Sequence, residues 1–331
     1  MILAGDVGGT HTRLALFEPP ELRPLHHAVF PSDEHDGLAQ MACAYLHELG
    51  RTGPAAEVSG ACFGVAGPVT DGRTVAVNLA WAVDSTELTD ALGVGPVQVV
   101  NDLEASAWGL TALGADDLAV VVPGDADPEG NVALLSPGTG LGEAIIVRGA
   151  AGEQVIASEG GHRDFAPRGE TQMALYRFLA AQYGHISYER VCSGIGLVNV
   201  HDFLRRHEYQ PTPDWLAKEM EEDDAAGAIS RAGLEGRDEL CSRALDMMIA
   251  ILAAEAGNLA LSVLATGGVY LGGGIPPRIL PRLTKGGFAQ AFTAKGRFDE
   301  LLDGIPVHVI LNDGAALLGA ARLAMSGLAT P

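Results

Sequence analysis

Ile2-Leu3-Ala4-Gly5-Asp6-Val7-Gly8-Gly9-Thr10-His11-Thr12-Arg13-Leu14-Ala15-Leu16-Phe17 is the stretch that decides the fold. Two apolar runs, 2–6 and 12–17, flank a Gly-Gly-Thr turn, so the segment reads as strand, tight turn and strand. The plan recurs in mid-chain, where the run 132–135 leads into Ser136-Pro137-Gly138-Thr139-Gly140-Leu141-Gly142 and strand-like residues resume at 144–147. Two such units in one chain suggest two related halves. Further strand-like runs lie at 58–65, 97–100, 118–122, 155–157, 269–271 and 307–311, and helical patterns at 37–49, 85–92, 103–113, 170–183, 237–264 and 314–325. Strands and helices alternate, which predicts an α/β chain with mixed sheets. The stretch 207–235, with Pro211, Pro213 and an acidic run over 219–224, reads as an irregular surface excursion.

At 331 residues the chain is long for one core and suits two domains. With 47% hydrophobic and 19% charged residues it has ample apolar surface to bury, which excludes a disordered chain. A net charge of −21, with no basic stripe, argues against nucleic acid as a partner. It does not forbid nucleotide phosphates, because backbone N–H groups and a metal ion can bind those locally. Cys43, Cys62, Cys192 and Cys241 contain no CxxC pair and fit buried thiols in a reducing compartment. The first residues lack a basic run, and no apolar run reaches the roughly 18 residues of a membrane span, so a cytoplasmic location is expected.

Several short motifs carry candidate chemistry. In Asp6-Val7-Gly8-Gly9-Thr10 the glycines let a phosphate meet backbone N–H groups, Thr10 adds a hydroxyl and Asp6 is placed to hold a hydrated Mg²⁺. The same glycines also fit a hairpin that simply needs them. Ser136–Gly142 repeats the theme without matching the dinucleotide fingerprint or the P-loop. Gly272-Gly273-Gly274-Ile275-Pro276-Pro277 follows a strand and opens a helix, and its bare backbone suits a flat group such as a purine. Asn101-Asp102 sits between a strand and a helix, where Asp102 is either an N-cap or a carboxylate at the mouth of a sheet, able to take a proton from a hydroxyl. Ser158-Glu159-Gly160-Gly161-His162 and, further on, Glu189 supply the carboxylates and imidazole that polyhydroxylated substrates call for, since each sugar hydroxyl both donates and accepts.

Taken in order, Asp6-Val7-Gly8-Gly9-Thr10, Asn101-Asp102, Gly138-Thr139-Gly140-Leu141-Gly142, Glu159-Gly160-Gly161-His162, Glu189-Arg190-Val191 and Gly272-Gly273-Gly274-Ile275-Pro276-Pro277-Arg278 resemble the bacterial glucokinase family, within the hexokinase, actin and Hsp70 ATPase superfamily. The likeness spans almost the whole chain, including Gly194-Ile195-Gly196-Leu197-Val198-Asn199 and the closing stretch 313–319. It implies two actin-like (ribonuclease H-like) α/β domains with mixed sheets around a central cleft. The small domain would comprise 1–112 plus 313–331 and the large one 113–312. It further implies ATP-dependent phosphorylation of the 6-hydroxyl of glucose, with Mg²⁺, in a homodimer.

By that resemblance Asp102 is the general base, Asn101 helps hold the sugar, Glu159, His162 and Glu189 bind its hydroxyls, and Gly138 lies beside it. Gly8, Gly9, Thr10, Thr139 and Gly140 line the phosphates, with Asp6 as the Mg²⁺ carboxylate, and Gly273 and Gly274 approach the adenosine. Two departures stand out: His11-Thr12 where the family often has Asn-Ala, and Glu143 where a small or apolar residue is usual. A carboxylate beside a polyphosphate is expected to point away or to join the metal shell. Two other classes compete. ROK-family kinases usually carry a Cys-rich zinc motif after their Glu-x-Gly-His, which is missing here, and actin- or Hsp70-like modules lack the Glu159, His162 and Glu189 set.

Overall fold

The computed structural model describes residues 1–50, 58–75, 81–150 and 152–329. The chain divides into two compact units, one formed by Met1–Ala115 with Asn312–Pro331 and the other by Asp116–Leu311.

Unit 1 begins with β1 (Ile2–Val7), β2 (His11–Glu18) and β3 (Arg23–Pro31), a meander, followed by α1 (Leu38–Glu48) and β4 (Gly60–Val65). Then come the short pair β5 (Arg73–Val75) and β6 (Ala82–Asp84), α2 (Ser85–Leu92), β7 (Val97–Asn101) and α3 (Asp102–Leu110). The five-stranded sheet runs β3-β2-β1-β4-β7, with β4 and β7 parallel to β1. β1 is apolar on both faces because both faces are covered. Leu3 and Val7 pack with Met41 and Tyr45 of α1 and Leu88 of α2. Ile2 and Ala4 face Ala105 of α3 and, at the end of the chain, Ala320, Ala321 and Ala324.

Unit 2 opens with β8 (Leu118–Val122), then the meander β9 (Val132–Pro137), β10 (Leu141–Gly149) and β11 (Gly152–Ser158). Five helices follow: α4 (Gly169–Ala180), α5 (Gly194–His207), α6 (Asp214–Glu222), α7 (Ala225–Leu234) and α8 (Glu239–Val263). β12 (Val269–Leu271), α9 (Ile275–Lys285), α10 (Phe288–Thr293), α11 (Asp299–Asp303) and β13 (Val307–Ile310) complete it. The chain then returns to unit 1 as α12 (Ala315–Ala329). The six-stranded sheet runs β11-β10-β9-β12-β13-β8. Remove β8, and its order and strand directions repeat those of unit 1: a three-stranded meander, then two parallel strands beside its first strand. The two glycine turns seen in the sequence occupy equivalent places, each joining the first two strands of its meander. The α/β reading with mixed sheets is therefore met in both units.

α8, 25 residues long, is apolar enough by length and composition to cross a membrane, yet it is the central packed helix of unit 2. Leu245, Met248, Ile249 and Leu252 are buried in one cluster with Leu197, Phe203, Ile229 and Phe292. The irregular excursion expected over 207–235 is instead the helix pair α6 and α7, with Leu216, Ala228, Ile229 and Ala232 fully buried. Pro213 is the N-cap residue of α6, and the Asp224 carboxylate caps α7 by accepting the N–H groups of Ala226 and Gly227 at 3.2 and 3.1 Å. The residues read as breakers are the places where helices start. Cys62, Cys192 and Cys241 are buried, Cys43 is half-buried, and no pair is bonded among the described residues.

Candidate active site

In unit 1 the parallel strands β1, β4 and β7 end on one edge of the sheet, the edge where ligands collect in open α/β folds. Val7 pairs with Val65, and Val65 with Asn101, so Asn101 lies two strands, about 10 Å, from Val7. Strand alternation puts Asp6 on the face that α3 and α12 cover. Its carboxylate, 23% exposed, meets Arg13 at 3.5 Å, and the same guanidinium reaches Asp313 at 3.4 Å. Burial raises the Asp6 carboxyl above the usual range, and Arg13 opposes that rise. Arg13 and Asp313 were not recognised from the sequence as partners of Asp6. The β2 pairing Asp6 with Arg13 could have shown it, since opposite residues across a hairpin meet.

The turn Gly8-Gly9-Thr10 is fixed from behind. Gly8 N–H donates to His11 O at 3.0 Å, Ser32 N–H to Thr10 O at 2.9 Å, and Ser32 Oγ to Gly8 O at 2.7 Å. Thr12, one of the two departures from the family pattern, is fully buried with its hydroxyl 2.9 Å from Ser32 Oγ. The departure thus adds to the brace behind the turn.

Asn101, not Asp102, is the N-cap of α3. Its Oδ1 accepts the N–H groups of Leu103 and Glu104 at 2.9 and 3.3 Å, and its Nδ2 donates to Gly67 O at 3.0 Å. An amide with two lone pairs and one N–H so engaged has one N–H left to donate. Asp102 is the first helical residue, half-buried, and its Oδ1 also accepts the Leu103 N–H at 2.9 Å.

Unit 2 gathers a second set. The turn Gly138-Thr139-Gly140 closes by Gly138 N–H donating to Gly140 O at 2.8 Å and is tied to α5 by Gly194 N–H donating to Gly138 O at 2.9 Å. Glu159, Gly160, Gly161 and His162 form a single 3₁₀ turn after β11, with the Glu159 and His162 residues exposed. Glu189 is anchored to that turn by its N–H donating to Gly161 O at 2.9 Å. Its Oε2 accepts the Leu141 N–H at 3.1 Å, while its Oε1 lies 3.8 Å from His162 Nε2. One carboxylate therefore touches both the glycine turn and the Glu159–His162 turn. Gly161 is compulsory there: a Cβ would meet the Leu141 carbonyl oxygen at 1.9 Å.

The triple glycine adjoins the same region, since Gly272 N–H donates to Leu135 O at 2.8 Å. Gly273 has φ +79°, and a Cβ on it would sit 2.7 Å from Pro137 O, so the fold itself already requires that glycine. Gly274 precedes α9 with open space around it. Glu143 points into the core: its side chain is fully buried, 2.7 Å from Arg163. Arg163 escaped sequence reading, being one more arginine beside a motif. Among the described residues, no three His, Cys, Asp or Glu side chains cluster as a metal site.

The glucokinase family profile matches residues 3–327 of this chain. A glucokinase from Synechocystis sp. is 39% identical, over 96% of this chain and 96% of the relative. The crystal structure of a glucokinase from an Antarctic psychrotroph superposes with a TM-score of 0.85 at 30% identity, covering 98% of each chain. A ROK family glucokinase from Streptomyces griseus, in complex with glucose and AMPPNP, covers 98% of this chain and 99% of its own at 23% identity and a TM-score of 0.66, a likeness of fold. Matched from end to end by profile, sequence and structure, and carrying its glycine turns and polar clusters at the strand ends of two actin-like units, the chain belongs to the glucokinase family.

Proposed function

We propose that the chain transfers the γ-phosphoryl group of ATP to the 6-hydroxyl of glucose, giving glucose 6-phosphate and ADP, with Asp102 as general base. The observation that carries this reading is the double contact of Glu189, one carboxylate joining a glycine turn suited to phosphates with a Glu159–His162 turn suited to hydroxyls. Asp102 supports it too, because Asn101 supplies the helix cap and leaves a carboxylate at the strand edge that the cap does not require. The O6–H proton passes to Asp102 as O6 attacks the γ-phosphorus, and the bond from that phosphorus to the ADP oxygen breaks. Asn101 and Gly138 stand beside the sugar. Gly8, Gly9, Thr10, Thr139 and Gly140 offer backbone N–H and hydroxyl donors to the phosphates, and positioning with electrostatics does most of the work. Gly273 and Gly274 lie against the adenosine.

Mg²⁺ fits this donor set in one particular way. It is usually held by one or two carboxylates plus substrate phosphates and waters, and Asp6 is a carboxylate next to the Gly8–Thr10 turn. Bound with the nucleotide, the ion neutralises charge on the phosphate oxygens. Asp6, which also meets Arg13 at 3.5 Å, would hold the ion in its hydrated form.

The test of the sugar site is calorimetry on Glu159→Gln and His162→Ala. A polar group made for a hydroxyl loses about 1–3 kcal/mol when that pairing fails, so glucose should bind about tenfold or more weakly. ATP binding should persist. Loss of nucleotide binding with glucose binding intact would place these residues in the other subsite.

A further inference from the structure

Under the Glu159–His162 turn lies an ion cluster that none of the roles above uses. Glu143 on β10 is 0% exposed and Glu255 on α8 is 1% exposed, and both meet the same Arg163 nitrogen, Glu143 Oε2 at 2.7 Å and Glu255 Oε1 closer still. Two buried carboxyl groups share one guanidinium, so ionising both is costly. Burial and the charge of Glu255 push the Glu143 carboxyl up to about 7. Glu143 Oε1 is buried with no hydrogen-bond partner. Well-packed apolar side chains commonly stabilise a core as well as a buried ion cluster does, or better. Stability alone therefore gives no reason for this arrangement.

Its contacts do. Arg163 Nε donates to Gly160 O at 3.1 Å. Glu143 pairs with Ser158 across the β10–β11 ladder, and Ser158 Oγ accepts the Gly160 N–H at 2.9 Å. Glu143 Oε2 fills the place where a Cβ on Gly160 would stand, 2.1 Å away. On the other side, Glu255 Oε2 accepts from Asn258 Nδ2 at 2.9 Å, and that nitrogen also donates to the Tyr188 hydroxyl at 3.0 Å. Tyr188 N–H donates to Arg163 O at 3.1 Å, and Tyr188 is the residue before Glu189. The cluster grips the glucose turn by its backbone and Glu189 by its neighbour.

We propose that Arg163, clamped between Glu143 and Glu255, is a positioning residue that sets the turn Glu159–His162 and Glu189 in their glucose-binding geometry. The proposal rests on reading those residues as the sugar site. Arg163→Lys separates positioning from charge balance: a lysine ammonium can still neutralise the buried carboxylates, but its donors sit on one nitrogen, which cannot stand at the carboxylates and at Gly160 O as the guanidinium's two nitrogens do. Glucose affinity and the KM for each substrate are to be measured for Arg163→Lys and Arg163→Met beside His162→Ala, with melting temperature as a check on folding. Both Arg163 variants should raise the glucose KM by about tenfold and leave the ATP KM within about twofold, with Arg163→Lys melting near the parent protein. If Arg163→Met does not fold, Arg163→Lys alone decides. Weakened glucose binding in His162→Ala with normal binding in folded Arg163→Lys overturns the positioning role and leaves the sugar site standing. A parallel fall in glucose and ATP affinity in Arg163→Lys also overturns it, as general loosening. Normal glucose binding in all the variants overturns the sugar site, and the proposal with it.

Discussion

Asp102→Asn is expected to lower kcat by about 10²–10⁴, with glucose affinity changed only a few-fold, the range for losing a positioned general base. The substitution keeps size and shape. It also keeps α3, because the cap is Asn101, whose Oδ1 holds the N–H groups of Leu103 and Glu104. An amide at 102 can still accept the Leu103 N–H through its oxygen, as Asp102 Oδ1 does at 2.9 Å. What it cannot do is take a proton from O6. Rapid-mix kinetics on the folded variant, together with calorimetry for glucose, give the split between kcat and binding. Near-normal kcat would reduce Asp102 to a helix-start residue.

The second large effect is expected at Gly161. A methyl group there meets the Leu141 carbonyl oxygen at 1.9 Å, which is backbone and has nowhere to go. The turn must move, and it carries Glu159 and His162 with it and loosens the Gly161 O bond to Glu189 N–H. Displacing a substrate-holding group by about 1 Å can cost about 10²-fold in rate. Gly161→Ala should therefore lower kcat/KM for glucose by about 10²-fold, mainly through KM, in a protein that still binds ATP. Steady-state kinetics with each substrate varied in turn test this, and an unchanged glucose KM would mean that the turn does not touch the sugar.

The legible parts of the fold are those where local chemistry and burial agree. β1, the Gly8–Thr10 turn and β2 are readable because two buried apolar runs flank glycine, and the same logic exposes β9 and β10. β3 is missed because it is an edge strand, exposed over most of its length, and nothing in its sequence needs to alternate. α6 and α7 are missed because a proline, an acidic run and Asp224 mark loops as readily as helix starts.

The site divides along similar lines. Glycine turns and lone carboxylates at strand ends can be seen locally, so Asp6, Asp102, Glu159 and Glu189 are visible as candidates. That Asn101 caps α3 is a question of which of two adjacent side chains turns back to the helix, and the sequence admits both. Arg13 with Asp313, and Arg163 with Glu143 and Glu255, join residues that lie far apart along the chain, and only the packing brings them together. Glycine at 273 shows the opposite limit: it reads as a ligand contact, yet a left-handed φ and the closeness of Pro137 already demand it.

The measurement that bears most directly on the central claim is ADP release from ATP and Mg²⁺ with and without glucose, followed alongside glucose 6-phosphate. The account predicts that ADP release depends on glucose and that each ADP is matched by one glucose 6-phosphate. ADP release at the same rate without sugar, or glucose-stimulated release with no phosphorylated sugar formed, would contradict it.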